Sequence, residues 1–159
     1  MASSTIHTLY LLASYLVGSL LISYYMGKWL DVDLFREGSK NPGAANLTRL
    51  VSWQAGLVGF LGDALKGFLV VFMAVHFDMP TYIVYLSGVC VVLGHVMSVF
   101  HKFRGGVGLA TATGWLVAFL LVDVPYRWLT VAVLALFVII GKIVGRYGSI
   151  DFIEHLKVT

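Results

Sequence analysis

Charge is what this chain has least of. Asp, Glu, Lys and Arg make up 12% of its 159 residues, hydrophobic residues make up 59%, and the mean hydropathy is +0.89. Soluble domains carry about 25% charged residues. The shortage here, with long apolar stretches between short polar ones, therefore predicts an integral membrane protein. A single cysteine, Cys90, excludes a disulfide within the chain, and its apolar neighbours predict a buried, inert thiol. No Lys or Arg precedes the first apolar stretch. The basic region of a cleavable signal peptide is thus missing, and the stretch is expected to be a retained helix. His95 and His101 have no Cys, Asp or Glu at ligand spacing, so no metal is expected. There is no internal repeat and no low-complexity tract. A net charge of +3 and a pI near 9.1 do not point to nucleic acid, because the basic residues sit at the ends of apolar stretches.

Five apolar stretches are present, over 9–30, 50–77, 80–100, 107–122 and 128–144. A helix needs roughly 20 residues to cross ~30 Å of hydrocarbon. The expectation is therefore an all-α integral membrane protein of about five transmembrane helices, forming one polytopic domain over 1–159. Lys28, Arg36, Lys40 and Arg49 flank the first loop, Lys102 and Arg104 the third, and Lys142, Arg146 and Lys157 the tail, leaving Arg127 opposite. The excess of Lys and Arg on one side places the amino terminus outside and the carboxyl terminus in the cytoplasm. Five crossings satisfy that alternation. Tyr24, Tyr25 and Trp29 fall at the inner boundary, and Tyr82, Tyr126 and Trp128 at the outer one.

The longest polar interval, 36–49, is where such a chain meets water. It combines the turn formers Pro42 and Gly43 with Ser39, Asn41, Asn46 and Thr48, and Arg49 closes it. Glycine permits close backbone approach, and Ser, Asn and Arg donate hydrogen bonds suited to phosphate oxygens. A solvated connecting loop is the alternative. In the first stretch Gly18, Ser19 and Ser23 predict close helix packing.

The interval 50–77 would be about 42 Å long as one helix, more than hydrocarbon requires. Either it tilts strongly, or 51–62 is a separate short piece and a second helix starts near Asp63 with that residue as its N-cap. Lys66 lies one turn on, on the same face. Charged side chains in a membrane segment must pair or face a polar cavity. A cavity open to the cytoplasm is the preferred reading, and a structural ion pair the other.

His95 ends the third stretch and Gly105-Gly106-Val107-Gly108 precedes the fourth, after Lys102 and Arg104. Glycines at a helix start expose backbone N–H groups and the positive end of the helix dipole to an anion. The turn lacks the spacing of a Walker loop or a dinucleotide fingerprint and by itself is equally a tight turn. A histidine on an apolar helix is more often packed than catalytic, but these neighbours favour a site. Residues 128–144 read as plain scaffold. The tail over 146–159 places Ile150, Ile153 and Leu156 at helical spacing, as in an amphipathic helix on the inner membrane surface.

Three pieces carry a family resemblance: 38–49, 63–67, and Gly94-His95 followed by 103–111. In order and spacing they resemble the bacterial membrane glycerol-3-phosphate acyltransferases that use acyl phosphate, over about Tyr15 to Thr113. The resemblance implies a compact helical enzyme of up to seven membrane helices in the bacterial cell (inner) membrane, with its site at the cytoplasmic surface. It makes Ser39 and Arg49 essential and gives glycerol phosphate binding to Gly105, Gly106 and Gly108.

With the reading of the residues, the expected catalytic set is Ser39, Arg49 and His95. The expected phosphate and substrate set is Asn41, Gly43, Asn46, Asp63, Lys66, Lys102, Arg104, Gly105, Gly106, Gly108 and Thr111. Neither a cofactor nor a metal is implied. The expected partners are acyl phosphate, glycerol 3-phosphate, membrane lipids and a second membrane protein.

The chain departs from the family pattern at Val107, where Lys is usual, at Ser98, where Pro is usual, and near Leu21, where a Pro is usual. The third family motif, with His, Asn and Glu, is matched poorly by 146–150. A second reading is therefore a non-catalytic relative that binds a lipid phosphate or serves as a structural subunit. A small organic-phosphate transporter is a third.

Overall fold

The computed structural model describes residues 2–122 together with Trp128, Val131, Ala132 and Ala135. The chain divides into two compact units, Met1–Pro125 and Tyr126–Thr159. In the second, the four described residues are helical. The rest of the fifth apolar stretch and the amphipathic tail fall outside the described residues.

The first unit is built of α1 (Ala2–Ser19), α2 (Ile22–Trp29), α3 (Ala44–Leu50), α4 (Trp53–His76), α5 (Thr81–Val96) and α6 (Leu109–Leu121), with a 3-10 turn at Val99–His101. Three spans are long and apolar enough to cross a membrane: Ser4–Trp29, Trp53–His76 and Thr81–His101. Leu109–Leu121 is a shorter apolar helix. The polar and apolar residues are distributed as lipid requires. Leu9, Leu12, Leu61 and Leu65 are 53–59% exposed, whereas Ser14, Ser19, Ser23, Asp63, Lys66, Ser87, His95, Ser98 and Thr111 are buried. Large apolar side chains face outward, and the interior mixes apolar residues such as Leu21, Val71 and Phe119 with polar ones partnered by backbone or by one another.

Two expectations are corrected. The first span is not one helix: it breaks at Leu20 and Leu21, the latter at φ −89°, ψ 86°. Nor does a helix start at Asp63. The chain breaks at Val51 and Ser52, and α4 then runs for 24 residues straight through Asp63. Its N-cap is Ser52, whose hydroxyl accepts a hydrogen bond from the Ala55 N–H at 3.2 Å. Serine, whose side chain satisfies an orphan N–H, prevails over an aspartate that has a different task.

Small residues set the helix spacing. A Cβ at Gly18 would strike the Val91 carbonyl and one at Gly94 the Tyr15 carbonyl, so α1 and α5 approach backbone to backbone, as expected of Gly18. The same holds for α4 and α6, where Gly67 faces the Thr111 carbonyl and Gly114 the Ala64 carbonyl. Tyr10 ties α1 to α4 by donating its hydroxyl to the Val70 carbonyl at 2.6 Å.

Gly67→Leu is expected to force α4 from α6. Overpacking of this kind costs about 1–3 kcal/mol, to be read as a lower thermal unfolding midpoint in detergent. An unchanged midpoint would mean that the close approach is not required.

Candidate active site

The buried charges of α4 come first, because they fix everything around them. Asp63 Oδ1 accepts from the Ile22 N–H at 3.1 Å, and Oδ2 accepts from the Ser23 N–H at 3.2 Å and the Ser23 hydroxyl at 2.6 Å. These are the first N–H groups of α2, so Asp63 is an N-cap supplied by another helix. Lys66 Nζ donates to the carbonyls of Gly18 at 2.8 Å and Leu20 at 2.5 Å, at the carboxyl end of α1. The two side chains pair at 2.9 Å. An anion thus meets a helix amino end and a cation a helix carboxyl end, each satisfying groups that a broken helix leaves orphaned. The preferred expectation, a cavity around these charges, gives way to the ion pair: Asp63 is 0% and Lys66 6% exposed.

His95 stands on the next layer, near the end of α5. Its Nδ1 lies 2.9 Å from Lys66 Nζ, 3.2 Å from Thr111 Oγ1 and 3.5 Å from Asp63 Oδ1. Lys66 thus has three N–H groups for four neighbours, the carbonyls of Gly18 and Leu20, Asp63 Oδ1 and His95 Nδ1. In the tautomer in which Nδ1 accepts from this ammonium, the imidazole proton sits on Nε2. Nε2 lies on the glycine turn, 2.5 Å from where a Cβ on Gly106 would sit; the same Cβ would lie 3.3 Å from Asn41 Oδ1. Gly106 also donates its N–H to the His95 carbonyl at 3.1 Å, and Gly105 packs against that carbonyl.

Asn41, His95 and the glycine turn therefore meet around a cavity of about 260 Å³, lined by Asn41, Gly43, Ala44, Ala45, Phe60, His95, Val107, Gly108, Leu109 and Ala110. Gly108, at φ +84°, is the N-cap of α6, with no side chain capping the N–H groups that follow. Gly43 holds the same position ahead of α3. The cavity wall thus carries backbone donors rather than charged side chains. Phe60 also lines an apolar groove of about 370 Å³ between α4 and α6, bounded by Ala64, Phe68, Thr113 and Val117 among others.

The remaining expected residues lie elsewhere. Asn46 is buried and committed to its own loop: Oδ1 accepts from the Ser39 N–H at 2.9 Å, and Nδ2 donates to the carbonyls of Glu37 at 3.0 Å and Leu34 at 3.3 Å. Gly38 at φ +59° leaves room for that amide, since a Cβ there would strike Asn46 Oδ1. Ser39 and Arg49 are exposed and have no side-chain partner among the described residues. Lys102 and Arg104 line a separate cleft with Arg36 and His101. Thr111 reaches the site through His95 alone. Sequence reasoning passed over Phe60, Ala45 and Ala110, which carry no chemical signal, and Ser23 as a hydrogen-bonding partner. An aspartate on one stretch and a serine on another announce no pairing.

Apolar spans around a buried charged network, with a glycine turn opening on a cavity at the helix ends, define an integral membrane protein of several spans. The sequence model of the family described as glycerol-3-phosphate acyltransferase matches residues 8–153. The chain belongs to the glycerol-3-phosphate acyltransferase family. Glycerol-3-phosphate acyltransferase 1 of Bacillus cereus is 41% identical over 143 residues, covering 89% of this chain and 77% of that protein. Glycerol-3-phosphate acyltransferase 2 of Thermotoga maritima is 35% identical over 147 residues, covering 89% and 74%. Among solved structures, PlsY (YgiH), an integral membrane glycerol 3-phosphate acyltransferase in its glycerol 3-phosphate form, superimposes with a TM-score of 0.66 at 37% identity. That match covers 70% of this chain and 56% of PlsY. The lysophosphatidic acid form gives 0.64 at 35% identity.

Asp63→Asn leaves the Lys66 ammonium buried without its counter-charge and is expected to cost about 3–5 kcal/mol. Asp63→Asn with Lys66→Met is expected to regain only part of this in thermal unfolding, because Met donates nothing to the Gly18 and Leu20 carbonyls and Asn accepts with one oxygen where Asp uses two. Full recovery in the double variant would reduce the pair to a simple ion pair.

Proposed function

We propose that this chain transfers a fatty acyl group from acyl phosphate to the 1-hydroxyl of glycerol 3-phosphate, giving lysophosphatidic acid and inorganic phosphate. The observation that carries the reading is the convergence of Asn41, His95 and the Gly106 to Gly108 turn on one cavity, which shares the Phe60 side chain with an apolar groove. The substrate hydroxyl oxygen bonds to the acyl carbonyl carbon, the carbon–oxygen bond to phosphate breaks, and the hydroxyl proton leaves with the phosphate. An acyl phosphate already carries a good leaving group, so positioning and charge stabilisation suffice and no acyl-enzyme is needed. Backbone N–H groups of the glycine turn and of the start of α6 meet phosphate oxygens. His95 Nε2–H donates to a substrate oxygen in the cavity, and Asn41 orients the polar head. Ser39 approaches from its loop and Arg49 from the last turn of α3, and the acyl chain runs from Phe60 along the groove between α4 and α6. Lys66, which is fully engaged by the protein, holds no phosphate.

The topology that goes with this has five crossings, the amino terminus outside and the carboxyl terminus in the cytoplasm of a bacterial cell. It is supported by the gathering of Lys28, Arg36, Lys40 and Arg49 around the first connection and of Lys102 and Arg104 in the third, both on one side. Acyl phosphate and glycerol 3-phosphate would then enter from the cytoplasm.

One observation favours a second reading, a lipid-phosphate-binding or structural subunit without turnover. The side chain at the cavity mouth is Val107, 64% exposed, where the family usually has Lys. Loss of one charged hydrogen bond costs about 1.5–3 kcal/mol, a roughly 10- to 100-fold slower reaction.

Phosphate release from palmitoyl phosphate by the purified protein in lipid distinguishes the two readings. Release that depends on glycerol 3-phosphate, disappears in Arg49→Ala and rises about tenfold or more in Val107→Lys is the expected result. A folded protein that releases none, even as Val107→Lys, would be the binding subunit.

A further inference from the structure

A second cleft, of about 330 Å³, lies at the end of the third span and shares no lining residue with the cavity. Its wall carries Arg36, Lys102 and Arg104 against the single carboxylate of Asp33, and Phe100 closes one side. Asp33 does not neutralise the group. It already pairs with Lys28 at 3.2 Å and more loosely with Arg36 at 3.6 Å. Lys102 and Arg104 have no carboxylate partner among the described residues. The Arg104 guanidinium is held 5.2 Å above the ring of Phe35, which orients it without consuming its N–H groups. Three cations on a concave wall with one shared acid fit an anion whose oxygens accept several hydrogen bonds at once, as phosphate does.

The surroundings favour a phosphate anchored in lipid over a free one. Phe100, 54% exposed, and Phe103, 60% exposed, flank Lys102 on either side, and Met97 and Val99, at 48% and 39%, continue the apolar surface back along the chain. Cations beside exposed aromatic residues at the end of a span are the arrangement that meets headgroups and the adjoining acyl region. Lys102 and Phe103 both hold left-handed backbone, at φ 56° and 58°, which puts two strained residues at the rim.

We propose that this cleft binds the phosphate headgroup of an anionic membrane lipid, at a position separate from the cavity where acyl transfer is placed. The cations take the headgroup oxygens, and the lipid tails lie against Phe100 and Phe103. The inference requires no turnover, so an inactive protein that retains the lipid would overturn the proposed function and leave this site standing.

The test is lipid retention by the full chain, delipidated in neutral detergent and titrated with phosphatidylglycerol or phosphatidylcholine, read by native mass spectrometry. Phosphatidylglycerol is expected to bind about tenfold more tightly than phosphatidylcholine. Arg36→Gln with Lys102→Gln, both exposed positions, is expected to abolish that preference, while Arg49→Ala keeps it. Equal binding of the two lipids, or a preference that survives the double substitution, would overturn the proposal. Displacement of phosphatidylglycerol by inorganic phosphate or glycerol 3-phosphate at equal concentration would do so too, by assigning the cleft to soluble phosphate.

Discussion

The structure depends on one insertion: the Asp63 and Lys66 side chains of α4 enter the gap between α1 and α2. A helix that breaks inside a membrane exposes carbonyls at one end and N–H groups at the other, and hydrocarbon satisfies neither. Here nearly every orphan has an address. The Val17 carbonyl takes the Leu20 N–H, the carbonyls of Gly18 and Leu20 take Lys66, and the Ser19 carbonyl takes the Ser98 hydroxyl at 2.6 Å. The N–H groups of Ile22 and Ser23 go to Asp63. The break is therefore held by side chains from α4 and from the chain after α5, with no proline in it. Ser98 serves where the family usually has Pro, a residue with no hydroxyl to donate.

The pair is spent on the backbone, and the side chain that reaches from it to the cavity wall is His95. Lys66 and Thr111 hold its Nδ1 from behind, and Gly106 lies against its Nε2, so the ring has little freedom. The cavity it faces has no cationic side chain among its lining residues, and the N–H groups at the start of α6 beside it have no side-chain cap. Cationic side chains gather instead in the neighbouring cleft.

Much of this was legible in the sequence, for physical reasons. Apolar length over 80–100 and 107–122 marks α5 and α6 because hydrocarbon sets the length of a helix. The glycine turn and Asn41 stand out because nothing apolar requires them, and one-turn spacing puts Asp63 and Lys66 on one face, although the sequence favours a polar cavity there over the ion pair that forms. Direction of capping was not legible. Asp63 reads as the start of its own helix, yet it caps a different one, and only the tertiary placement of Ser23 reveals this. Asn46 looks like a ligand residue because its amide suits one, but the same amide equally suits the loop carbonyls of Leu34 and Glu37. Lys102 and Arg104 stand within a few residues of the glycine turn in sequence, yet the tight fold of that turn sends their side chains into another cleft.

Helix lengths explain why a site exists at this depth. At ~1.5 Å per residue, α5 with 16 residues reaches about 24 Å and α6 with 13 about 20 Å, both short of ~30 Å of hydrocarbon. Asp63 lies ten residues into α4, about 15 Å from its start, and the break in the first span is the eight residues of α2, about 12 Å, from Trp29. The charged network thus sits well inside the bundle, at the level where α5 ends and before α6 begins. Irregular backbone over 105–108 is tolerated there because it borders a cavity and packs against His95 and Val96. Had α5 run a full span, its last turns would occupy the space that Gly106, Val107 and Gly108 now border. The short helices make the cavity, and the ion pair beneath them makes short and broken helices possible.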